Sequence, residues 1–192
     1  MEANMANVNH SALTDPYLHE PKGVASANAN EVYVANGSGS GVWKPHHHFV
    51  GAYLAFDATT PAYTHAATTS PTVINPTLAT SVVDGFTVTN SPNARLLYSN
   101  TVDINAQITI TLSSKQASGS DKEVEWLIYK NGVAIPGAHT IRTISTGDWG
   151  SISVTGFVSL TPTDYIEVYS KKSSAGNVQY ASSFWSVVGA PA

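Results

Sequence analysis

The feature that most constrains this chain is the run from Thr101 to Leu112. Val102, Ile104, Ala106, Ile108, Ile110 and Leu112 fall at every second position, and Thr101, Asp103, Asn105, Gln107, Thr109 and Thr111 fill the places between. Successive side chains of a strand point to opposite faces, so the run predicts a strand with one face on a core and one in water. A helical period would scatter these six apolar residues around the cylinder. Glu123 to Lys130 repeats the pattern with Val124, Trp126 and Ile128 inward. It ends in Asn131-Gly132, a dipeptide suited to the type I′ hairpin turn because both central positions need positive φ.

The remainder fits the same class. Charged residues make up only 11% of the chain, against about 25% in an ordinary soluble domain. Thr, Ser, Asn, Ala and Gly take their place, which suits strands and turns and is poor for surface helices. Further strands are expected at Val50–Phe56, at Val82–Thr89 as a pair around Asp84-Gly85, and at Arg95–Ser99. Others are expected at Ala138–Ser145, Ser151–Leu160, Asp164–Lys171 and Val178–Val188. Residues 58–77, with Pro61, Pro71 and Pro76, read as loop. The expected fold is all-β, a jelly-roll β-sandwich of about eight to ten strands.

Residues 1–45 differ from residues 46–192. Apolar residues there are scattered singly, Pro16 and Pro21 break any helix, and Asn36-Gly-Ser-Gly-Ser-Gly41 is a turn or flexible link between Val32-Tyr-Val-Ala35 and Val42-Trp43. So little apolar surface cannot order the segment alone. It is expected to be an extended N-terminal arm, ordered against a partner, with residues 46–192 as the knob.

Several function classes are disfavoured. The net charge is −4 with no basic cluster, unlike a nucleic-acid binder or an anionic-membrane binder. No apolar run approaches the roughly 20 residues needed to span a bilayer, so no membrane insertion is expected. The absence of Cys removes disulfides and thiolate chemistry. Met1–Ala12 is polar and carries no secretory signal, so synthesis in the cytoplasm is expected. No Gly-x-Ser-x-Gly elbow, His-Glu-x-x-His or phosphate-binding loop occurs. The chain reads as non-enzymatic and without a cofactor. Asp148 beside Trp149 is the one acid–aromatic pair to check for a sugar-holding turn.

Two resemblances bear on function. The string from His10 to Gly23, HSALTDPYLHEPKG, with Val32 to Trp43, VYVANGSGSGVW, resembles a segment of tail-fibre and other virion proteins of bacteriophages. Across Val50 to Gly189, the strand order, the hairpin Trp126-Leu-Ile-Tyr-Lys-Asn-Gly132 and Asp164-Tyr-Ile-Glu-Val168 are similar to jelly rolls of the tumour-necrosis-factor and complement-subunit type. These resemblances imply a homotrimer on the particle surface, made in the host cytoplasm. They point to a capsid decoration (cement) or head-fibre protein bound to the major capsid protein or another virion protein. The alternative they leave is a tail-fibre tip that binds a host surface glycan.

Candidate residues follow. Tyr17, Leu18, His19, Tyr33 and Trp43 are the candidate anchors of the arm. Leu127, Tyr129, Phe157, Tyr165, Tyr169 and Trp185 fall out of phase with the core rows. Two placements are open for them: the inner face of a strand phased the other way, or a subunit interface. His46, His47 and His48 could ligate a metal. Neighbouring strand residues point to opposite faces, so one chain could offer at most two of the three, and solvated imidazoles at a hinge are the plainer reading.

Overall fold

A computed structural model describes residues 31–35, 41–45, 47–54 and 61–192. All elements in these residues are strands: β1 Glu31–Ala35, β2 Gly41–Pro45, β3 His48–Leu54, β4 Tyr63–Ala67, β5 Thr72–Val73, β6 Ala79–Asp84, β7 Phe86–Thr89, β8 Arg95–Tyr98, β9 Ile104–Gln116, β10 Lys122–Lys130, β11 Val133–Ile144, β12 Gly150–Leu160, β13 Tyr165–Lys172 and β14 Gly176–Pro191. The chain divides into two units, Met1–His46 and His47–Ala192.

In the first unit, β1 and β2 form an antiparallel hairpin with Tyr33 opposite Trp43. The two rings meet edge to face, 5.4 Å between centroids. A single extended segment was the expectation. The two alternating runs pair with each other instead, because closing so short a loop carries little entropy cost.

The second unit is a jelly-roll sandwich. The first sheet runs β12-β9-β14-β3-β6, with β4 also on β14; the second runs β11-β10-β13-β8-β7, with β5 on β13. The chain passes between sheets at most connections and makes local hairpins at β7–β8 and β10–β11. The expected alternation holds in β9, where Ile104, Ala106, Ile108, Ile110 and Leu112 are buried, and in β10, where Val124, Trp126 and Ile128 are. Asn131 and Gly132 adopt φ of 52° and 75° in the tight turn.

Three expectations need correction. Residues 58–77 are not all loop: β4 and β5 lie between Pro61, Pro71 and Pro76. The prolines bound short flanking strands, the positions a residue without an N–H tolerates. Val82–Thr89 is not a hairpin, because β6 belongs to the first sheet and β7 to the second. Gly85 turns the chain between them at φ +71°, and a Cβ there would stand 2.6 Å from the ring of buried His48. Trp185 is fully buried in the core. A bulge between Tyr180 and Ser182 reverses the parity of β14, so Val178 and Tyr180 point inward, and then Ser183, Trp185 and Val187 do.

At the end of the sandwich where β3 begins, Asp164 ties two turns together. Its carboxylate accepts hydrogen bonds from Asn131 Nδ2 (2.6 Å), the Thr161 amide (2.7 Å) and the Thr161 hydroxyl (3.0 Å), and it pairs with the Lys130 ammonium at 2.7 Å. Burial alone would raise its pKa. Lys130, Thr161 and Asn131 outweigh that and hold it at about 2, against 3.8 ordinarily. The folded value lies below the unfolded one, so the stabilisation is present above about pH 4 and is lost as pH falls toward 2. Asp164→Asn is expected to lose about 1–2 kcal/mol at pH 7, the shift being discounted for neighbours that remain partly in water. In urea titrations the gap to the parent protein should shrink steadily below about pH 4 and close only below about pH 1.5. A gap that persists there would mean the cost is steric and not ionic.

Candidate assembly face

The outward surface of the first sheet is built from four strands in register. Phe157 of β12 stands opposite Gln107 of β9, Gln107 opposite Val188 of β14, and Val188 opposite Phe49 of β3. The next outward row is Thr155, Thr109, Ser186 and Gly51, and the one after it Ser153, Thr111, Phe184 and Tyr53. Phe49, Tyr53, Phe184 and Val188 are 39–58% exposed, and Phe157 is 73% exposed. Val82 of β6 extends the patch beyond Gly51. The Phe184 ring lies over Gly51, where a Cβ would be 3.3 Å from Cζ.

Hydroxyls fill the rest of this face and bond to one another or to backbone. Thr109 and Thr155 are 3.4 Å apart, and the Ser186 hydroxyl donates to the Thr109 carbonyl at 3.2 Å. At the margin, the Ser159 hydroxyl donates to Asn105 Oδ1 at 2.7 Å. In these rows the one formal charge is Asp84 at the β6 edge, opposite Phe49. Four strand spacings, counting β6, and two row spacings make a face of roughly 19 Å by 14 Å. Large apolar side chains are exposed on it among hydroxyls, with a single charge at its edge. Phe157 stands between two hollows. One, of 630 Å³, is lined by Gln107, Ser159 and Val188; the other, of 550 Å³, by Val133, Ile135 and Pro136.

The outward face of the second sheet is built in the opposite way. Glu125 accepts from His139 at 2.9 Å and pairs with Lys171 at 2.8 Å. Burial alone would raise the Glu125 carboxyl, but Lys171 and His139 hold it below its usual value. Glu167, itself buried, accepts from Asn93 (3.1 Å) and Tyr169 (3.3 Å) and lies 3.7 Å from Arg95. Arg95 sits 4.4 Å over the Tyr165 ring, and Tyr129 stacks on Tyr169 at 3.8 Å. Burial, then Glu167, raises the Tyr169 phenol. These charges and rings have each other as partners; Glu167 is buried among them and the others stay partly in water.

The six out-of-phase residues therefore separate. Leu127, Tyr129, Tyr165 and Tyr169 lie half-buried on the second sheet, Trp185 is core, and of the six Phe157 alone stands on the outward face of the first sheet. Phe49, Tyr53, Phe184 and Val188 escaped the sequence reading. The signal that could have found them is that β3 and β14 are apolar on both faces.

The other candidates do not converge. Tyr17, Leu18, His19 and His46 lie outside the described residues. Tyr33 and Trp43 pack on each other in the hairpin. His47 is exposed, while His48 is buried, 3.6 Å from Asp84 and 3.3 Å from Asn100. Among the described residues no group of three His, Asp or Glu side chains could hold a metal ion. Asp148 is exposed, and the ring of Trp149 lies under the Lys115 ammonium at 4.6 Å. No helix of the described residues is long and apolar enough to cross a membrane.

No family model matches the chain, and no curated protein does. Solved structures with a similar trace include Eiger TNF from S. frugiperda, 10% identical, covering 73% of this chain and 92% of that one at a TM-score of 0.43. Murine APRIL is 11% identical, covering 74% and 98% at 0.44. PRD1 vertex protein P5 is 11% identical, covering 76% and 97% at 0.44.

Proposed function

We propose that this chain is a non-enzymatic structural protein of a bacteriophage particle surface, a capsid decoration or head-fibre protein. Three knobs close about a three-fold axis through the outward face of the first sheet, and residues 1–45 attach the trimer to the major capsid protein. The observation that carries the reading is the charge-poor face bearing exposed Phe49, Tyr53, Phe184 and Val188. Covering such a surface with other copies of itself is the usual solution in soluble assemblies. The resemblance of residues 10–23 and 32–43 to virion proteins supports the location. A two-stranded hairpin is marginal on its own, which supports an arm that gains its order against a partner. Tripled by symmetry, weak arm contacts give avidity.

The test is binding to particles stripped of the native protein. Full-length protein is expected to return to the shell. A variant lacking residues 1–45 is expected to stay a folded trimer and to remain in the supernatant on co-sedimentation. Decoration by the truncated protein would assign attachment to the knob instead.

A further inference from the structure

We propose that His65 is an acid-sensitive clasp between the two sheets, so that on acidification the β4–β5 segment opens ahead of the rest of the sandwich. This device is independent of the assembly face. β4 pairs with β14 of the first sheet and β5 with β13 of the second, and residues 68–71 join them. One short segment therefore spans the side of the sandwich. Both of its strands lie off the main path of their sheets, and β5 has only two residues. Elements with so few ladder bonds open at a lower free energy than core strands.

His65 ties the two halves of that segment together. Tyr63, His65 and Ala67 form the inward row of β4, and His65 is 6% exposed. Its Nε2 lies 2.9 Å from the Thr72 hydroxyl of β5, which donates to the Ser170 carbonyl of β13 at 3.3 Å. A hydroxyl has one proton to give, so the Thr72 oxygen accepts and Nε2 carries the hydrogen. The relay runs from the first sheet to the second and leaves Nδ1 as the nitrogen that takes up a proton.

The groups facing the ring do not balance a positive charge. From β4 it meets Tyr63, stacked at 6.3 Å between centroids. The inward row of β14 brings Val178 and Tyr180, β5 brings Thr72, and the inward row of β13 brings Ser170 and Lys172. Burial raises the phenols of Tyr63 and Tyr180, which stay neutral. Lys172 is directed inward beside Gly176, where a Cβ would stand 2.9 Å from Nζ, and Gly176 is one row from His65 in the register. The one charge in these rows thus has the sign of an imidazolium. The carboxylates that pair with an imidazole among the described residues are Asp84 and Glu125, on His48 and His139. Burial holds the His65 ring below its ordinary 6.5, and water restores that value once the segment opens. The folded value is the lower of the two, so closure is fully stable above about pH 6.5 and weakens as pH falls below it.

The experiment is amide hydrogen exchange of the full chain at about pH 7.5 and about pH 5, expressed as protection factors. The reporters are the Ile74 amide, bonded to the Val168 carbonyl, and the Lys172 amide, bonded to the Thr68 carbonyl. The β9–β12 ladder is the reference. Reporter protection is expected to fall about tenfold at the lower pH while the ladder is unchanged. His65→Gln keeps an N–H for Thr72 and cannot titrate, and it is expected to abolish the fall. The ring protons of His65 in the parent protein, followed by NMR, are expected to titrate below the ordinary histidine value, a readout that does not depend on the variant folding. The proposal is overturned by an equal fall in His65→Gln, by an equal fall in the β9–β12 ladder, by no fall at all, or by a His65 titration at or above the ordinary value.

Discussion

Val188→Asp is expected to turn the assembled protein into a monomer, lowering the sedimenting mass from three times 20.2 kDa to 20.2 kDa at micromolar concentration. Val188 is 58% exposed at the centre of the outward row Gln107–Val188–Phe49. It makes little contribution to the core, because Val187 and Trp185 supply the inward contacts of β14. A carboxylate buried there without a cation costs several kcal/mol. The proposed three-fold arrangement would repeat that cost in every subunit, and each step of about 1.4 kcal/mol is tenfold in association. Ile141→Asp is the matched control, since Ile141 is equally exposed on the second sheet opposite the Glu125 pair. It is expected to leave the mass unchanged. The reverse pattern, a monomeric Ile141→Asp beside a trimeric Val188→Asp, would move the interface to the second sheet. Circular dichroism of both variants separates loss of assembly from loss of fold.

The contrast between the two outer faces explains what the sequence could and could not disclose. Period-two alternation made the inward rows of β9 and β10 legible, but not the bounds of β9, which runs from Ile104 to Gln116 where Thr101 to Leu112 was expected. In β3 and β14 both faces are apolar, so Phe49 and Val50, or Val187 and Val188, are interchangeable until a partner sheet is known. One bulge at Tyr180–Ser182 then moved Trp185 from the expected outside to the core. Rings on the second sheet looked surplus for a different reason. Tyr129 finds its partner in Tyr169 and Tyr165 in Arg95, contacts between residues far apart in the chain, and Tyr169 also donates to Glu167 two residues before it. Gly85 carried a local turn signal, but not the information that the turn changes sheets.

The largest effect on stability is expected inside the sandwich, at Trp126. Its side chain is fully buried in β10, and its indole N–H donates across the core to the Tyr180 hydroxyl of β14 at 3.0 Å, joining the two sheets. Tyr180 is stacked in turn on Tyr63 of β4, 6.0 Å between centroids. Burial holds the Tyr180 phenol far above its ordinary pKa, so it stays neutral and the bond persists across the working pH range. Trp126→Ala removes the largest packing unit of the core together with this bond, and about 3–5 kcal/mol should be lost. That is a large share of the roughly 5–15 kcal/mol that stabilises a domain. Trp126→Phe keeps most of the apolar volume but leaves the Tyr180 hydroxyl with Ser170 alone, and Tyr180→Phe strands the indole N–H. Each is expected to cost about 1–3 kcal/mol. The double variant leaves no orphaned polar atom, so its cost should fall short of the sum by about 1 kcal/mol or more. Urea unfolding at one fixed protein concentration measures all four proteins, fixed because a dissociating trimer makes the midpoint concentration-dependent. Strictly additive costs would show that the two sheets are held together here by packing alone.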